Sequence, residues 1–320
     1  QLFFQKFSTH QPLGPLVVDA RYAYSMATRQ EPDRREYSYL ITDDGAFLSQ
    51  KGSWNEILYG GLKDQNHDLG LDLGLPLALP HGEATLRAGG QLVLRDRSSS
   101  SRRFSYEFRG SEGIDLSLPI GQVLTPEYIG ADSEGDTGYL QLIEYTSNSD
   151  DYQAKQLLGA AYLMGELPLL ERWKLQGGLR MESSNQSVRT FEQFDPSKSP
   201  VEAGLATLDF LPSLSTTFAL GKGVEAEELL LRLGYGRTLS RPEFRELSEV
   251  PYYDYRTGRT YVGNPELQRA LIDSFDLRLE WYPRPSEAWS VGLFAKVFQD
   301  PIESVVEVSA VSGSVGSFAN

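Results

Sequence analysis

The stretch Asp68-Leu-Gly-Leu-Asp-Leu-Gly-Leu-Pro-Leu77 sets the frame for the whole chain. Leu69, Leu71, Leu73, Leu75 and Leu77 take every second position, and Asp68 and Asp72 fall between them. Successive side chains of a strand point to opposite faces. A period of two therefore makes one apolar face and one polar face.

The same period recurs on both sides of this stretch. In 16–25, Leu16, Val18, Ala20, Tyr22 and Tyr24 oppose Asp19, Arg21 and Ser25. In 84–95, Ala84, Leu86, Ala88, Leu92 and Leu94 oppose Arg87, Gln91 and Arg95. In 173–182, Trp173, Leu175, Leu179 and Met181 oppose Lys174, Gln176, Arg180 and Glu182. In 229–235, Leu229, Leu231, Leu233 and Tyr235 oppose Arg232. In 275–282, Phe275, Leu277, Leu279 and Trp281 oppose Asp276, Arg278 and Glu280. In 289–297, Trp289, Val291, Leu293, Ala295 and Val297 oppose Ser290 and Lys296. No charged residue of these windows lies on the apolar face. A Lys or Arg facing lipid near the bilayer midplane costs about 2–4 kcal/mol, enough to force that segregation. Segments 152–167 and 205–220 also read as strands, with weaker alternation, and the faces of 152–167 stay unassigned.

Short turns at 11–15, 80–83, 168–172, 221–228 and 283–288 alternate with long polar stretches at 29–66, 96–138, 188–204 and 241–268. The Ser98–Ser101 run falls in one of these and reads as loop. In an antiparallel meander, alternate connections share a rim. Short turns on one rim and long loops on the other characterise outer-membrane barrels. Trp173, Phe218, Trp281 and Trp289 sit beside short turns, and Tyr22, Tyr24 and Tyr235 where strands run into long loops, as in the aromatic girdles of such barrels. The reading is an all-β, antiparallel up-and-down transmembrane β-barrel, partial, with about ten or eleven strands. The competing architecture is a soluble β-sandwich, which also alternates and would place its large aromatics in the core.

Composition narrows the classes. The 320 residues contain no cysteine, so disulfide scaffolds and Cys-ligated metals are excluded. The 44 acidic residues outnumber the 30 basic ones, for a net charge of −14, which speaks against a nucleic-acid partner. The 17 Tyr, 15 Phe and 4 Trp suit aromatic-rich β structure. No run of about 18 apolar residues is long enough for a spanning helix, a criterion that barrel strands escape.

Two stretches carry a family resemblance: Tyr235-Gly-Arg-Thr-Leu-Ser-Arg-Pro-Glu-Phe-Arg-Glu-Leu247 and Tyr261-Val-Gly-Asn-Pro-Glu-Leu267. They continue into Asp276-Leu-Arg-Leu-Glu-Trp-Tyr282, Ser290-Val-Gly-Leu-Phe-Ala-Lys296 and Asp300-Pro-Ile-Glu303, and are preceded by Gly60-Gly-Leu-Lys-Asp64 and Leu211-Pro-Ser-Leu214. In this order they resemble the barrel of TonB-dependent receptors. The resemblance implies a ligand-gated transporter of the Gram-negative outer membrane, with about 22 strands in the whole barrel and a plug domain inside it. It implies partners: outer-membrane lipid, the plug, and the TonB–ExbB–ExbD complex, which drives import of an iron siderophore, haem, cobalamin or an oligosaccharide. Residues 1–320 then read as one piece of the barrel domain, without plug, TonB box or signal peptide. The alternative function is a soluble or surface β-sheet module that binds carbohydrate through its aromatics.

Catalytic patterns are weak. Asp136-Thr-Gly138 spells the aspartic-protease triplet but has no second copy to share a proton. Asp132, Glu134 and Asp136 lack the bidentate acid that completes an EF-hand loop. His10, His67 and His81 are isolated, and no Walker, GxGxxG or GxSxG motif occurs. The expectation is a non-enzyme without cofactor or metal. Two loop groups are candidate ligand contacts on the extracellular rim: Arg241, Glu243 and Arg245 around the strand-ending Pro242, and the aromatics Tyr252, Tyr253 and Tyr255. The competing reading of the first group is a charge network that orders the loop base, and of the second, loop packing. Arg87, Lys174, Arg180, Glu182, Arg232, Asp276, Arg278 and Glu280 are expected to face the lumen and the plug.

Overall fold

The computed structural model describes all residues except 50–54, 110–112, 131–138, 147–150, 192–199, 223–227, 251, 255–258, 285 and 310–312. Ten long or medium strands form its main sheet: β1 (Leu2–Leu13), β2 (Leu16–Tyr37), β5 (Asn55–Leu79), β6 (Gly82–Arg109), β8 (Asp151–Leu170), β9 (Trp173–Phe191), β10 (Val201–Lys222), β11 (Glu228–Ser240), β14 (Ala270–Arg284) and β15 (Glu287–Gln299). The intervening numbers belong to the connections: β3 (Tyr39–Thr42), β4 (Gly45–Leu48), α1 (Ile120–Val123), β7 (Tyr139–Glu144), α2 (Phe244–Leu247), β12 (Tyr252–Asp254) and β13 (Arg259–Tyr261). β16 (Glu303–Ser309) and β17 (Gly313–Ala319) follow the last long strand.

The ten strands pair strictly in chain order, each antiparallel to the next, and β7 adds to β6 at one rim. This is the up-and-down meander, left open between β1 and β15. The turn between β1 and β2 uses Gly14 at φ 63°, a conformation that costs glycine nothing.

The two faces separate as the alternation requires. Leu71, Leu179 and Leu293 are 48%, 47% and 66% exposed on the outside of the sheet. Among the described residues no second sheet covers them, which removes the sandwich. Trp173 stacks on its register partner Phe218 with ring centroids 5.2 Å apart, and Trp281 stands opposite Trp289, so the short-turn rim carries an aromatic belt. At the other edge of the apolar band, Tyr22 and His67 share a 2.8 Å hydrogen bond and Tyr24 packs on the same imidazole, 4.8 Å between centroids.

The stretch 29–66, expected as loop, is largely strand, while 96–138 opens in strand and 188–204 both opens and closes in strand. β5 has 25 residues and β6 has 28, against the roughly 9–11 that a tilted strand needs to cross a bilayer. The Ser98–Ser101 run lies inside β6, paired with Gly60–Lys63 of β5. Tyr22, Tyr24 and Tyr235 consequently sit within strands, marking the end of the apolar band and not the end of the ladder. The reason is physical. Beyond the hydrocarbon both faces meet water or polar loops, so apolar alternation stops while backbone hydrogen bonding continues. The stretch 241–268 is a connection along most of its length, and Pro242 lies just past the end of β11.

Two clusters of buried side chains lie toward the long-loop rim. One joins Leu48, Ile114, Val123 and Leu140. The other joins Tyr152 and Ala154 of β8, Val188 of β9 and Ala203 of β10 to Phe244, Leu247 and Leu267 of the β11–β14 connection. That connection is folded back against the polar face of the sheet.

Candidate functional site: a polar wall and the loop folded onto it

Register assigns each strand's inward residues. β5 contributes Asp64, Asp68 and Asp72; β6 contributes Arg87, Gly89, Gln91, Arg95 and Arg97; β9 contributes Lys174, Arg180 and Glu182; β10 contributes Asp209. Arg232 of β11 and Asp276, Arg278 and Glu280 of β14 share this face. All eight residues expected on the polar face thus lie there, and most are paired. Arg232 and Arg278 both reach Glu280, at 3.0 and 2.8 Å. Arg87, Lys174 and Asp276 are exposed.

Hydrogen bonds run across the wall from strand to strand. The Gln91 amide donates to both oxygens of Asp68 at 3.0 and 3.1 Å. Arg180 donates to Gln91 Oε1 at 2.8 Å and to Glu182 at 2.6 Å. β8 lies between these partners, with Tyr162 opposite Arg180 and the small Ala160 opposite Gln91, so the guanidinium reaches across beside Ala160. Glu182 accepts from Arg241 at 2.9 Å, and Arg241 also reaches Asp209, which accepts from Arg269. Lower on the wall, Tyr162 donates to Asp72 at 2.5 Å, with Arg21 3.5 Å from the same carboxylate. This packing needs glycine at 89, where a Cβ would sit 2.8 Å from the Leu71 carbonyl oxygen and 2.5 Å from both Asp72 Oδ1 and the Tyr162 ring.

The loop is seated by apolar and ionic contacts together. Phe244 is 0% exposed, and the guanidinium groups of Arg95 and Arg97 lie 4.9 and 5.4 Å from its ring centroid. Both arginines are held by Asp64, Arg95 in a fork at 2.9 and 3.2 Å. Such cation–π contacts contribute about 0.5–2 kcal/mol each. The Gln186 amide donates to the Pro242 carbonyl at 3.1 Å. α2 opens with a capping box: the Glu246 carboxylate accepts from the Glu243 amide at 2.8 Å. Burial pushes the Glu246 carboxyl above the usual glutamate value, more than that amide lowers it.

The rim candidates divide. Arg241 is nearly buried between Glu182 and Asp209. Glu243 stays exposed, 3.5 Å from Arg95, and Arg245 is exposed on α2. Tyr252 and Tyr253 lie on β12, and Tyr255, like Asp132, Glu134 and Asp136, lies outside the described residues. The Gly263-Asn-Pro265 segment closes the far side of α2. Gly263 N–H donates to Ser248 O at 3.0 Å and Asn264 N–H to Glu246 O at 2.6 Å, while the Asn264 amide holds the Phe318 carbonyl at 3.0 Å. Sequence reasoning did not single out Asp209 and Arg269 as site residues. Asp209, a lone acid between Leu208 and Phe210 in a strand of weak alternation, was the available signal.

Sequential antiparallel strands with an apolar outer band and an ionic inner wall make this chain a wall of a membrane-spanning β-barrel. The family model described as TonB dependent receptor-like, beta-barrel matches residues 4–320, and the chain belongs to that family. The family consists of outer-membrane receptors and transporters of Gram-negative bacteria, not enzymes. Among solved structures, the ferric-catecholate import receptor Fiu of E. coli K12 aligns with TM-score 0.52 at 10% identity, over 100% of this chain and 42% of that one. The siderophore receptor PiuA of Acinetobacter baumannii aligns with TM-score 0.49 at 10% identity, over 99% and 42%. The hemophore receptor HasR of Serratia marcescens, solved with its hemophore HasA and heme, aligns with TM-score 0.42 at 12% identity, over 100% and 46%. The chain therefore spans less than half the length of these receptors. No curated protein matches it in sequence.

Proposed function

We propose that this chain is part of the barrel of an energy-coupled importer in the Gram-negative outer membrane. Its apolar band meets lipid, and its polar wall lines the lumen. The observation that carries this reading is the complete segregation of Leu71, Leu179 and Leu293 from the Asp68–Gln91–Arg180–Glu182 network across one continuous sheet. Arg87, Lys174 and Asp276 are exposed on the wall and face where a plug domain would stand. In the full receptor that plug would connect to the TonB–ExbB–ExbD complex, so that transport is binding followed by force-driven rearrangement, with no bond made or broken in the solute. The cargo is a scarce nutrient carried as a small molecule. A ferric catecholate is the first probe to try, because the Fiu receptor shares the fold. On this reading the long-loop rim faces the outside, and the connection that carries Arg241, Glu243, Arg245, Tyr252 and Tyr253 lies on the side from which solute arrives.

The test is made on the full-length receptor. It should fractionate with the outer membrane and migrate faster on a gel before boiling than after. Uptake of labelled ferric siderophore by cells should stop on addition of a protonophore. A receptor soluble without detergent would end this reading. Uptake unaffected by the protonophore would end its energy coupling.

A further inference from the structure

Seen from outside, the sheet changes chemistry over a few rungs of β5, β6, β8 and β9. Leu69 and Leu92 stand opposite one another inside the apolar band. One rung higher, His67, Leu94, Leu157 and Asn185 stand in line, with Tyr24 packed on the imidazole. The next rung holds Gln65, Asp96, Lys155 and Ser187, and the one above it Lys63, Ser98, Gln153 and Arg189. No register shift interrupts these rungs, so all of these side chains share the face of Leu71. Arg189 pairs with Glu202 at 3.3 Å. Lys63 and Lys155 are exposed, and neither has an ion-pair or hydrogen-bond partner among the described residues. A groove of about 430 Å³ opens at this height, with Gln65, His67, Asp96, Lys155, Asn185 and Ser187 in its lining. At the opposite edge of the apolar band the same strands put Leu77, Ala84, Leu167 and Leu175 on this face.

We propose that Lys63 and Lys155 hold the phosphate of an anionic lipid headgroup on the long-loop side of the bilayer. The inference rests on the reading of this face as lipid-facing. Amphipathic rings settle at headgroup level, so the Tyr22, Tyr24 and His67 group marks that level and the two rungs above it lie among phosphates. Lys63 and Lys155 are two strands and one double step apart, about 12 Å between Cα atoms. Their flexible four-carbon stems let both ammonium groups close on one anion, while the stems lie along the edge of the apolar band. Ser98 and Gln153, on the rung of Lys63, supply further donors. Charge complementarity selects the occupant. In a chain of net charge −14, these two unpaired cations stand where the membrane surface holds fixed negative charge. Asp96, the register neighbour of Lys155, opposes the anion and gives the test a second sign.

The experiment is native mass spectrometry of the full-length receptor in detergent, titrated with phosphatidylglycerol or phosphatidylcholine and read at the first bound lipid. Phosphatidylglycerol should bind more tightly. Lys63→Gln and Lys155→Gln should each weaken it about fivefold and leave phosphatidylcholine unchanged. Asp96→Asn should tighten phosphatidylglycerol binding, and the Lys63→Arg/Lys155→Arg pair should keep it. Phosphatidylglycerol affinity unchanged in the Lys63→Gln/Lys155→Gln pair overturns the proposal. If that pair does not assemble, the single variants carry the same reading. Inorganic phosphate at matched ionic strength should not displace the lipid. Displacement would make this a site for a soluble anion and overturns the proposal as well. A receptor that assembles as a heat-modifiable barrel and shows no preference for phosphatidylglycerol overturns this inference and leaves the barrel standing. One soluble without detergent overturns both.

Discussion

The amide of Gly263 donates to the carbonyl oxygen of Ser248 at 3.0 Å, closing the β13 side of the connection onto the end of α2. A Cβ at 263 would lie 2.7 Å from the carbonyl oxygens of Arg245 and Glu246 and closer still to that of Ser248. All three obstacles are backbone. Gly263→Ala should therefore part the two halves of the loop, at a cost of about 1–3 kcal/mol by overpacking. Hydrogen exchange of the 259–267 amides should quicken, while β5 and β6 stay protected. Unchanged exchange would mean that the halves are not in register here.

Phe244 anchors the seat. Phe244→Ala leaves a cavity against Tyr152, Val188 and Ala203 and removes the ring beneath Arg95 and Arg97. Large-to-small changes of this kind cost about 3–5 kcal/mol. Limited proteolysis from outside the cell should then cut the connection in the variant and spare it in the parent. Equal resistance in both would show that the ionic contacts hold the loop alone.

Glu246 gives the seat a pH dependence of known sign. Its carboxyl is raised above the ordinary value of 4.5 by burial, with the facing Glu243 carboxylate adding to the effect. The folded loop thus binds this proton more tightly than the unfolded loop. Its increment of stability is full below the ordinary value and is lost as pH rises through the raised one. Exchange of the 243–250 amides, corrected for intrinsic rate, should slow on acidification through that window. Glu246→Gln should flatten the response. A response of the same size in both proteins would assign it to another group.

The lipid face sets a fourth expectation. Leu179→Arg places a cation in the middle of the apolar band, at about 2–4 kcal/mol. Gln176→Arg, on the opposite face of the same strand, meets the polar wall. The fraction of receptor that migrates in the fast, unboiled form should fall for the first and hold for the second. Equal behaviour would mean that the two faces do not see different solvents.

The alternation in 68–77, 173–182 and 275–282 was enough to give the pairing order and the two faces, because lipid penalises every misplaced charge. The upper halves of β2, β5 and β6 were silent for the complementary reason. Arg97, Arg102 and Arg103 take ladder positions there in place of apolar residues, so no apolar period appears. The base of the 241–268 loop was legible as a cluster of charges. Its direction was not, since the contacts that fold it inward are made by Arg95, Glu182 and Asp209, between 32 and 146 positions away along the chain from Arg241. Gly263-Asn-Pro265 carried family information, but its purpose appeared only when three carbonyl oxygens were found beneath Gly263.

The height of the paired wall constrains how its lineage can drift. The β5–β6 ladder is unbroken from Glu56↔Ser105 down to Leu79↔Gly82. Loss of one residue at Ser99 would invert every position above it, turning Arg103 outward and away from Glu56. Loss of two would merely shorten the vestibule. Indels in this upper tier should therefore come in even numbers, a parity rule from which the hairpin tips are exempt.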